Sequence, residues 1–302
     1  MAHVFGKVSI VGVGLIGGSF ALALKKAGAA GKITGIGRTL AVLERAKHLG
    51  IIDHAAGSLA EAVEDAELVL IATPVAQTGA ILAAIAPHLQ PHTVVTDAGS
   101  TKGDVIIAAR TALGSKIGQF VPGHPIAGRE ANGPEAALAD LYQNKKAVLT
   151  PLPENSAIAI EAVTAAWELC GAVVHRMSAA QHDRIFAAVS HLPHLLAYAL
   201  VDQIDTTPEA ALLFQFAASG FRDFTRIAGS SPEMWRDIAL ANGVALLAEI
   251  DTYALQLAHL RTMLAAGDGD GLQAMFSNAR RARQAWLERI EAGEQPPKTG
   301  GD

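Results

Sequence analysis

One histidine stands in a short segment where its ring is suited to acid–base chemistry. His124 lies between Gly123 and Pro125 and follows a predicted strand at Phe120-Val121. Its pKa near neutrality suits a general base, and a surface-loop histidine without a catalytic role is the alternative. Ser100 follows the preceding predicted strand, so we expect it to hydrogen-bond the second ring nitrogen and fix the tautomer, to cap the next helix, or both.

Polar side chains recur in the second half of the chain. Ser190 and His194 are four residues apart and share one face of a predicted helix. His191 and His194 invite a metal-site interpretation, but a proline separates them, and the acidic and cysteine partners typical of zinc are missing. We therefore predict no metal and favour a polar patch facing a cleft.

An acidic residue between two arginines follows further along. Asp223 lies between Arg222 and Arg226. An arginine fork suits a carboxylate substrate, and an exposed ion-pair cluster is the alternative.

A glycine-rich turn near the N-terminus predicts where a dinucleotide binds. A short apolar strand ends at Val11, and Gly12, Gly14 and Gly17 then stand in G-x-G-x-x-G register before a predicted helix from Leu15. Gly12 permits the turn, Gly14 lets a pyrophosphate approach, and Gly17 allows close packing of helix on strand. A tight turn without a ligand is the alternative. We count Leu15 and Ile16, at the start of the helix, among the cofactor-binding residues.

The end of the second strand predicts which dinucleotide is preferred. NAD-binding domains usually carry an acidic residue there for the ribose, whereas this chain has Gly37, Arg38 and Thr39. Arg38 and Thr39 suit a 2′-phosphate, so we expect NADP, with NAD as the alternative if Arg38 only stacks on the adenine. Thr73 and Pro74, which close another strand, complete the expected cofactor-binding set.

Strand and helix signals alternate through the first half of the chain. This pattern predicts an α/β fold with a doubly wound parallel sheet, a Rossmann domain, over residues 1–177. Long helical periodicities then predict an all-α substrate and dimerisation domain over residues 178–291. Residues 292–302 are expected to form a disordered tail.

One predicted helix is apolar on nearly all sides. It starts at Ser231 with Pro232 at its first position and extends to Leu264. A small domain cannot surround so long an apolar helix, so we predict a homodimer through the helical domain. A monomer whose other helices wrap this helix is the alternative.

Composition narrows the function classes. The 302 residues carry a net charge of −5, which argues against a nucleic-acid partner. Uncharged apolar stretches stay below about 18 residues, so no membrane span is expected. The single cysteine, Cys170, fits a reducing compartment, and we expect a cytoplasmic protein.

Several motifs together resemble one enzyme family. The segments Val11-Gly-Val-Gly-Leu-Ile-Gly-Gly-Ser19, Gly99-Ser-Thr-Lys102, Gly123-His-Pro-Ile-Ala-Gly128, Ser190-His-Leu-Pro-His194 and Phe221-Arg-Asp-Phe-Thr-Arg-Ile-Ala228 occur in the order of the prephenate/arogenate dehydrogenases of tyrosine biosynthesis. The resemblance covers residues 8 to about 237. It implies a Rossmann domain followed by a helical dimerisation domain.

The resemblance also implies residue roles. It makes His124 the partner of the substrate ring hydroxyl, with Ser100 orienting it. It makes Arg226 the contact of a substrate carboxylate, braced by Asp223. The other implied substrate-site residues are Ser190 and His194 in the pocket, Glu130 at its mouth, and Trp235 near the active site of a partner subunit.

The implied reaction is oxidative decarboxylation of prephenate, arogenate or both. Hydride leaves the carbinol carbon, His124 accepts the hydroxyl proton, and loss of CO2 restores aromaticity. Two alternatives stay open. A β-hydroxyacid dehydrogenase would use a lysine in the helical domain, where none occurs between Lys146 and Lys298. A non-catalytic NADP-sensing dimer would not need His124 and Ser100.

Overall fold

Six short strands pair in parallel at the centre of the N-terminal part of the chain. The computed structural model describes residues 4–129 and 131–291. The strand order is β3-β2-β1-β4-β5-β6, which confirms the expected doubly wound sheet. The strands are β1 (Phe5–Val11), β2 (Ala30–Ile36), β3 (His54–Ala55), β4 (Leu68–Ile71), β5 (Val94–Asp97) and β6 (Phe120–Val121). The strand order reverses between β1 and β4, and ligands of such sheets bind at the carboxyl ends there.

Helices cover both faces of this sheet. They are α1 (Leu15–Lys26), α2 (Leu40–His48), α3 (Leu59–Val63), α4 (Thr78–Ile85), α5 (Gly103–Leu113) and α6 (Ala157–Leu169). Two buried apolar clusters, one on each face, fill the space between helices and strands. Phe20 of α1 meets Trp167 of α6 edge to face, with ring centroids 4.8 Å apart.

A second, three-stranded sheet follows the first. It consists of β7 (Gly123–Pro125), β8 (Lys146–Leu149) and β9 (Val173–Arg176), with β7 antiparallel to β8 and β8 parallel to β9. These strands therefore do not extend the six-stranded parallel sheet. His124 lies on β7 opposite Val148, because the chain turns at Pro122 and starts a new sheet.

The rest of the described chain is helical. The helices are α7 (Ala179–Phe186), α8 (Leu192–Asp205), α9 (Ala210–Gln215), α10 (Ser219–Thr225), α11 (Pro232–Ala241), α12 (Gly243–Ala266) and α13 (Gly269–Glu291). A π-helical turn, Ala187–His191, joins α7 to α8. Pro193 follows this turn as the second residue of α8, and its missing N–H leaves the carbonyl of Val189 without the usual helical partner.

The single helix predicted from Ser231 to Leu264 is divided in two. Ser231 caps α11 as expected, its hydroxyl accepting from the N–H of Met234. The helix ends at Ala241 and α12 begins at Gly243. Between them the Asn242 side chain is buried and donates to the backbone carbonyl of Asp183, a long-range contact that the apolar periodicity does not reveal.

By contacts the chain divides into two compact units, one ending at Leu246 and the other beginning at Leu247. The expected domain boundary near Met177 stays a prediction. By length and composition alone, one described helical run, 179–205, is apolar enough to cross a membrane; core helices of soluble proteins meet the same criterion. The predicted disordered tail, 292–302, lies outside the described residues.

Candidate active site

The three motif glycines occupy positions that larger residues would disturb in different ways. Gly12 has φ +96°, and a Cβ there would lie 2.5 Å from the carbonyl oxygen of Ala72. A Cβ on Gly17 would lie 2.2 Å from the carbonyl oxygen of Gly12. A Cβ on Gly14 would meet no protein atom within 4 Å. Protein packing therefore requires glycine at 12 and 17, whereas the space at Gly14 is open to a ligand.

The start of α1 faces this open space. No side chain caps the helix at Gly14, and its first turn carries no acidic residue. The first N–H groups of an uncapped helix are free to bind an anion, and the helix dipole adds to that preference. The N–H of Leu15 is the first of these groups. The arrangement fits a pyrophosphate.

A cleft of about 730 Å³ lies along the carboxyl ends of β1, β2 and β4. Its volume is in the range of small-molecule and cofactor sites. Thr73 lines this cleft, and its hydroxyl is buried without a protein hydrogen-bond partner. The cleft-lining residues that the sequence predicted are Gly12, Gly14, Arg38, Thr39, Thr73 and Pro74.

The described residues that line this cleft include no carboxylate. Arg38 is exposed at its edge. Thr39 caps α2, its hydroxyl oxygen accepting from the N–H of Val42 at 3.4 Å, which leaves the hydroxyl hydrogen free to donate. A positively charged side chain thus stands where NAD-binding domains usually have an acidic one.

A second cleft of about 500 Å³ continues from the first toward Ser100. The two share Gly14, Thr73 and Pro74. Ile16 lines the second cleft as predicted, whereas Leu15 lines neither. A ligand whose phosphates lie at Gly14 therefore extends toward Ser100 and α11.

A fully buried ion pair holds the Ser100 loop against β7. The ammonium of Lys102 lies 2.5 Å from Asp97 and donates to the carbonyl of Gly123 at 2.7 Å. Asp97 accepts from the N–H groups of Gly99 and Gly123 at 2.9 and 3.0 Å. Charge-assisted bonds of this kind fix geometry strongly when both partners are buried. They hold His124, next to Gly123, close to the loop of Ser100.

The partner of the His124 ring is a second histidine. Nδ1 of His124 lies 2.8 Å from Nε2 of His182, the fourth residue of α7, which Ser178 caps. The ring of Phe186 packs against both imidazoles, with centroids 4.9 and 4.5 Å away. The hydrogen bond to the second ring nitrogen, expected from Ser100, is thus made by His182 of α7.

Asp183 completes the chain of hydrogen bonds. Its carboxylate lies 2.8 Å from Nδ1 of His182 and accepts from the N–H groups of Lys102 and Gly103 at 2.9 and 2.7 Å. Burial opposes ionisation most strongly, yet these three hydrogen bonds together hold the pKa of Asp183 below its ordinary value. Asp183, rather than Ser100, caps α5, so the prediction that Ser100 caps this helix was wrong.

Burial and nearby charge together set the proton affinity of the base. Burial of the ring, followed by the charges of His182, Lys102 and His191, lowers the pKa of His124 well below its ordinary value. Burial also lowers the pKa of His182, although Asp183 acts in the opposite direction. Both rings are therefore neutral at physiological pH.

His191 links the helical segment to the Ser100 loop. It hydrogen-bonds the backbone of Ser100, and its Nδ1 lies 3.0 Å from the Asn242 amide. Burial, followed by the charge of His182, lowers the pKa of His191 to about 4. His191 is thus a buried histidine that joins the π-helical turn to the Ser100 loop and to Asn242. Among the described residues, no group of three or more His, Cys, Asp or Glu is arranged to hold a metal ion.

A stacked pair lies one turn further along the helical segment. The His194 ring stacks on Trp235 with centroids 3.6 Å apart, and its Nδ1 donates to the Ser190 carbonyl at 2.8 Å. Trp235 is buried in the single chain, and its indole Nε1 has no protein partner; its expected place near a partner's active site stays a prediction. Ser190 is half-buried on the same turn.

The predicted carboxylate contact lies close to this pair. Arg226 is exposed at the end of α10, and its charge contributes to lowering the pKa of His194, after burial, the larger cause. Asp223 is exposed and lies 3.7 Å from Arg222; the bracing role expected for it stays a prediction. Glu130 lies outside the described residues.

Sequence reasoning missed the residues that support His124. His182 and Asp183 lie 58 and 59 positions away, and only the fold brings them together. Lys102 belongs to the Gly99–Lys102 motif, but no feature of the sequence predicted that its side chain is buried against Asp97. A His-Asp pair in the first turns of a helix that Ser178 caps is the one pattern that could have drawn attention to them.

Comparisons with known proteins agree with this geometry. Residues 20–176 match the family model described as prephenate dehydrogenase, nucleotide-binding domain. Residues 178–278 match the model described as prephenate dehydrogenase, dimerization domain. The first match alone covers more than half of the chain.

Individual relatives span nearly the whole chain. Cyclohexadienyl dehydrogenase of Zymomonas mobilis is 38% identical over 93% of this chain and 96% of its own. Prephenate dehydrogenase of Bacillus subtilis is 38% identical over 90% of this chain and 74% of its own. The crystal structure of prephenate dehydrogenase from A. aeolicus, in complex with hydroxyphenyl propionate and NAD+, has a TM-score of 0.83 and 37% identity over 95% of this chain and 98% of that one. The chain therefore belongs to the prephenate dehydrogenase family.

Proposed function

We propose that this chain catalyses the oxidative decarboxylation of prephenate, arogenate or both with NAD(P)+, yielding 4-hydroxyphenylpyruvate or tyrosine. One observation carries the proposal. The glycine-lined cleft continues to Ser100, and the buried Lys102–Asp97 pair fixes this loop beside His124. The names of the relatives support the same reaction class.

His124 acts as the base in this proposal. The nicotinamide, when bound, supplies the hydride acceptor. Nδ1 of His124 is engaged by His182, so Nε2 is the atom left to accept the proton of the substrate hydroxyl. As the carbinol becomes a ketone, the ring carboxylate is lost as CO2 and an aromatic ring forms. Ser100, on the adjoining loop, orients the hydroxyl.

Binding of the substrate falls to the residues around the stacked pair. Arg226 supplies a permanent positive charge for a carboxylate, and its influence on His194 puts it within electrostatic reach of that ring. Trp235 offers an unpartnered indole N–H, and Ser190 lies on the same turn as His194. Because prephenate and arogenate share this carboxylate, Arg226 serves either substrate.

We propose NADP as the preferred cofactor, with NAD as the alternative. Arg38 stands at the cleft edge, and the Thr39 hydroxyl retains a free hydrogen, so both can donate to a 2′-phosphate. The ribose of NAD, which lacks that phosphate, forms fewer hydrogen bonds here, since the described lining of the cleft offers no carboxylate to its hydroxyl groups.

We also propose a cytoplasmic homodimer with no nucleic-acid or membrane partner. The match to a dimerisation domain supports assembly through the helical part. The net charge of −5 and the single buried Cys170 support a reducing compartment without nucleic-acid binding.

One assay tests the reaction and separates it from its alternatives. NADP or NAD reduction is followed by absorbance with prephenate and arogenate supplied separately, and the product is identified by mass. We expect turnover of at least one substrate with loss of CO2 and a higher kcat/KM for NADP. Cofactor binding without turnover would favour a sensing dimer. Turnover of a β-hydroxyacid instead would favour that dehydrogenase class, although no lysine lies between residues 147 and 297 to serve it.

A further inference from the structure

We infer that His182 and Asp183 are positioning residues for His124, fixing the tautomer in which its Nδ1 carries the hydrogen and its Nε2 accepts the substrate proton. The inference rests on the proposed function, since it assigns roles in that same site. The inference goes beyond the proposed function because it names two residues that act on the base rather than on substrate or cofactor.

The direction of the hydrogen bonds is set at Asp183. An ionised carboxylate can only accept hydrogen bonds. It already accepts two from the backbone at the start of α5, where the helix dipole favours negative charge. Its third partner, Nδ1 of His182, must therefore be a donor.

The donor and acceptor of the next hydrogen bond, between His182 and His124, follow from this. A neutral imidazole has one N–H, and in His182 it points to Asp183, so Nε2 must accept. The facing Nδ1 of His124, 2.8 Å away, must therefore carry a hydrogen. A neutral His124 with its hydrogen on Nδ1 has a lone pair on Nε2, which is the form a general base requires.

The side chains around His182 and His124 favour this one arrangement of hydrogen bonds. The His182 ring is fully buried, and Phe186 packs against both imidazoles, which excludes water that would offer other partners. The other charged or titratable groups that influence His124 are His191 and Lys102, and Lys102 is paired with Asp97. When His124 accepts a proton it becomes an imidazolium, and the carboxylate of Asp183 compensates that charge through His182.

Three variants separate this role from a purely structural one. Asp183→Asn lets an amide N–H donate to Nδ1 of His182, which reverses both hydrogen bonds and puts the hydrogen of His124 on Nε2. His182→Leu removes the acceptor altogether. His182→Gln keeps an oxygen acceptor near the original Nε2 position and should restore much of the activity. His88→Leu changes an exposed histidine and serves as control.

We expect Asp183→Asn and His182→Leu to lower kcat by about 100-fold or more, within the usual contribution of a general base. KM for the cofactor should change less than about three-fold. The kcat of His182→Gln should be at least ten-fold higher than that of His182→Leu, and the kcat of the His88→Leu control should match that of the wild type. A kcat within about three-fold of wild type in His182→Leu would overturn the inference, as would equal losses in His182→Leu and His182→Gln with unchanged melting temperatures.

Nitrogen-15 NMR of the histidine rings tests the tautomer without turnover. Assigned with His124→Asn, the wild-type spectrum should show His124 with Nδ1 protonated and Nε2 unprotonated, even if neither substrate is oxidised. A neutral His124 protonated on Nε2 would refute the inference. Absence of dehydrogenase activity in a wild type with the expected tautomer would refute the proposed function instead.

Discussion

A histidine that accepts a proton at neutral pH needs a lone pair facing the substrate and a ring that stays neutral before the reaction. In this chain Nδ1 of His124 is bonded to His182, which leaves Nε2 for the substrate. Burial, with the charges of His182 and Lys102, holds the His124 pKa well below its ordinary value. The ring is therefore deprotonated throughout the physiological range.

This lowered pKa sets the expected pH dependence. Protonation of His124 removes the lone pair, so kcat/KM should fall as pH drops through the pKa of His124 in the free enzyme. Because that pKa lies well below about 6.5, the ordinary value, the acid limb should lie well below pH 6.5, with a plateau above it. The pH profile of kcat/KM provides the measurement. An acid limb centred at pH 7 or higher would contradict the assigned environment of His124.

Arg226 allows a second test at the scale of one residue. Its loss should remove a charge-assisted contact to a substrate carboxylate, a contact of about 1.5–3 kcal/mol. We expect Arg226→Ala to raise KM for the substrate about ten- to hundred-fold and KM for the cofactor much less. Arg222→Ala, in the neighbouring exposed pair, is the matched control. An unchanged substrate KM in Arg226→Ala would assign the carboxylate to another residue.

At the scale of elements, the site is built where strand ends and helix starts meet. The turn from β1 to α1 leaves helix N–H groups uncapped beside the open space at Gly14. The start of α5 is instead capped by Asp183, from α7. The two helix N-termini at this edge of the sheet therefore have different roles. The N-terminus of α1 is open to a phosphate, whereas the N-terminus of α5 holds the carboxylate of Asp183, behind the base.

Two glycine variants should separate fold from binding. In Gly14→Ala the added methyl meets no protein atom, so the melting temperature should stay constant while the cofactor Kd rises at least about ten-fold, or about 1.4 kcal/mol. In Gly17→Ala the methyl overlaps the backbone of Gly12, and we expect a loss of about 1–3 kcal/mol in the free energy of unfolding. Thermal melts and cofactor titrations supply both values. An unchanged cofactor Kd in Gly14→Ala would remove the pyrophosphate from that position.

Local signals predicted the elements well and their long-range contacts poorly. The predicted start of α1 at Leu15 follows from the glycine-rich turn before it, and the structure confirms it. The break at Asn242 could not be predicted, because its cause is a buried contact to Asp183, 59 residues away. His182 of α7 escaped notice for the same reason, since its partner, His124, lies on a strand 58 residues earlier in the chain.

At the scale of the whole molecule, many apolar side chains of the later helices face solvent in the single chain. Val244 is 89% exposed and Leu247 62%. Others of this exposed set are Leu212, Leu213, Phe216, Phe224, Leu255, Leu257 and Leu264. So much exposed apolar surface is typical of a subunit contact, which agrees with the dimerisation-domain match.

The expected dimer is open to a direct test. A charge at Leu247 should oppose burial of α12, so Leu247→Glu should shift the protein from dimer to monomer at micromolar concentration. Ile158→Glu, on α6, changes a side chain that is 81% exposed outside the helical part and should leave the dimer intact. Sedimentation velocity measures both. Dimers in both variants would move the interface away from α12.

The most direct test of the account is the turnover of the His124→Asn variant. It should retain the cofactor Kd of the wild type, because His124 lies outside the glycine-lined cleft. Its kcat with prephenate or arogenate should fall about 10²–10⁴-fold, the usual contribution of a general base. A near-normal kcat with intact cofactor binding would contradict the assignment of His124 as the base around which the site is built.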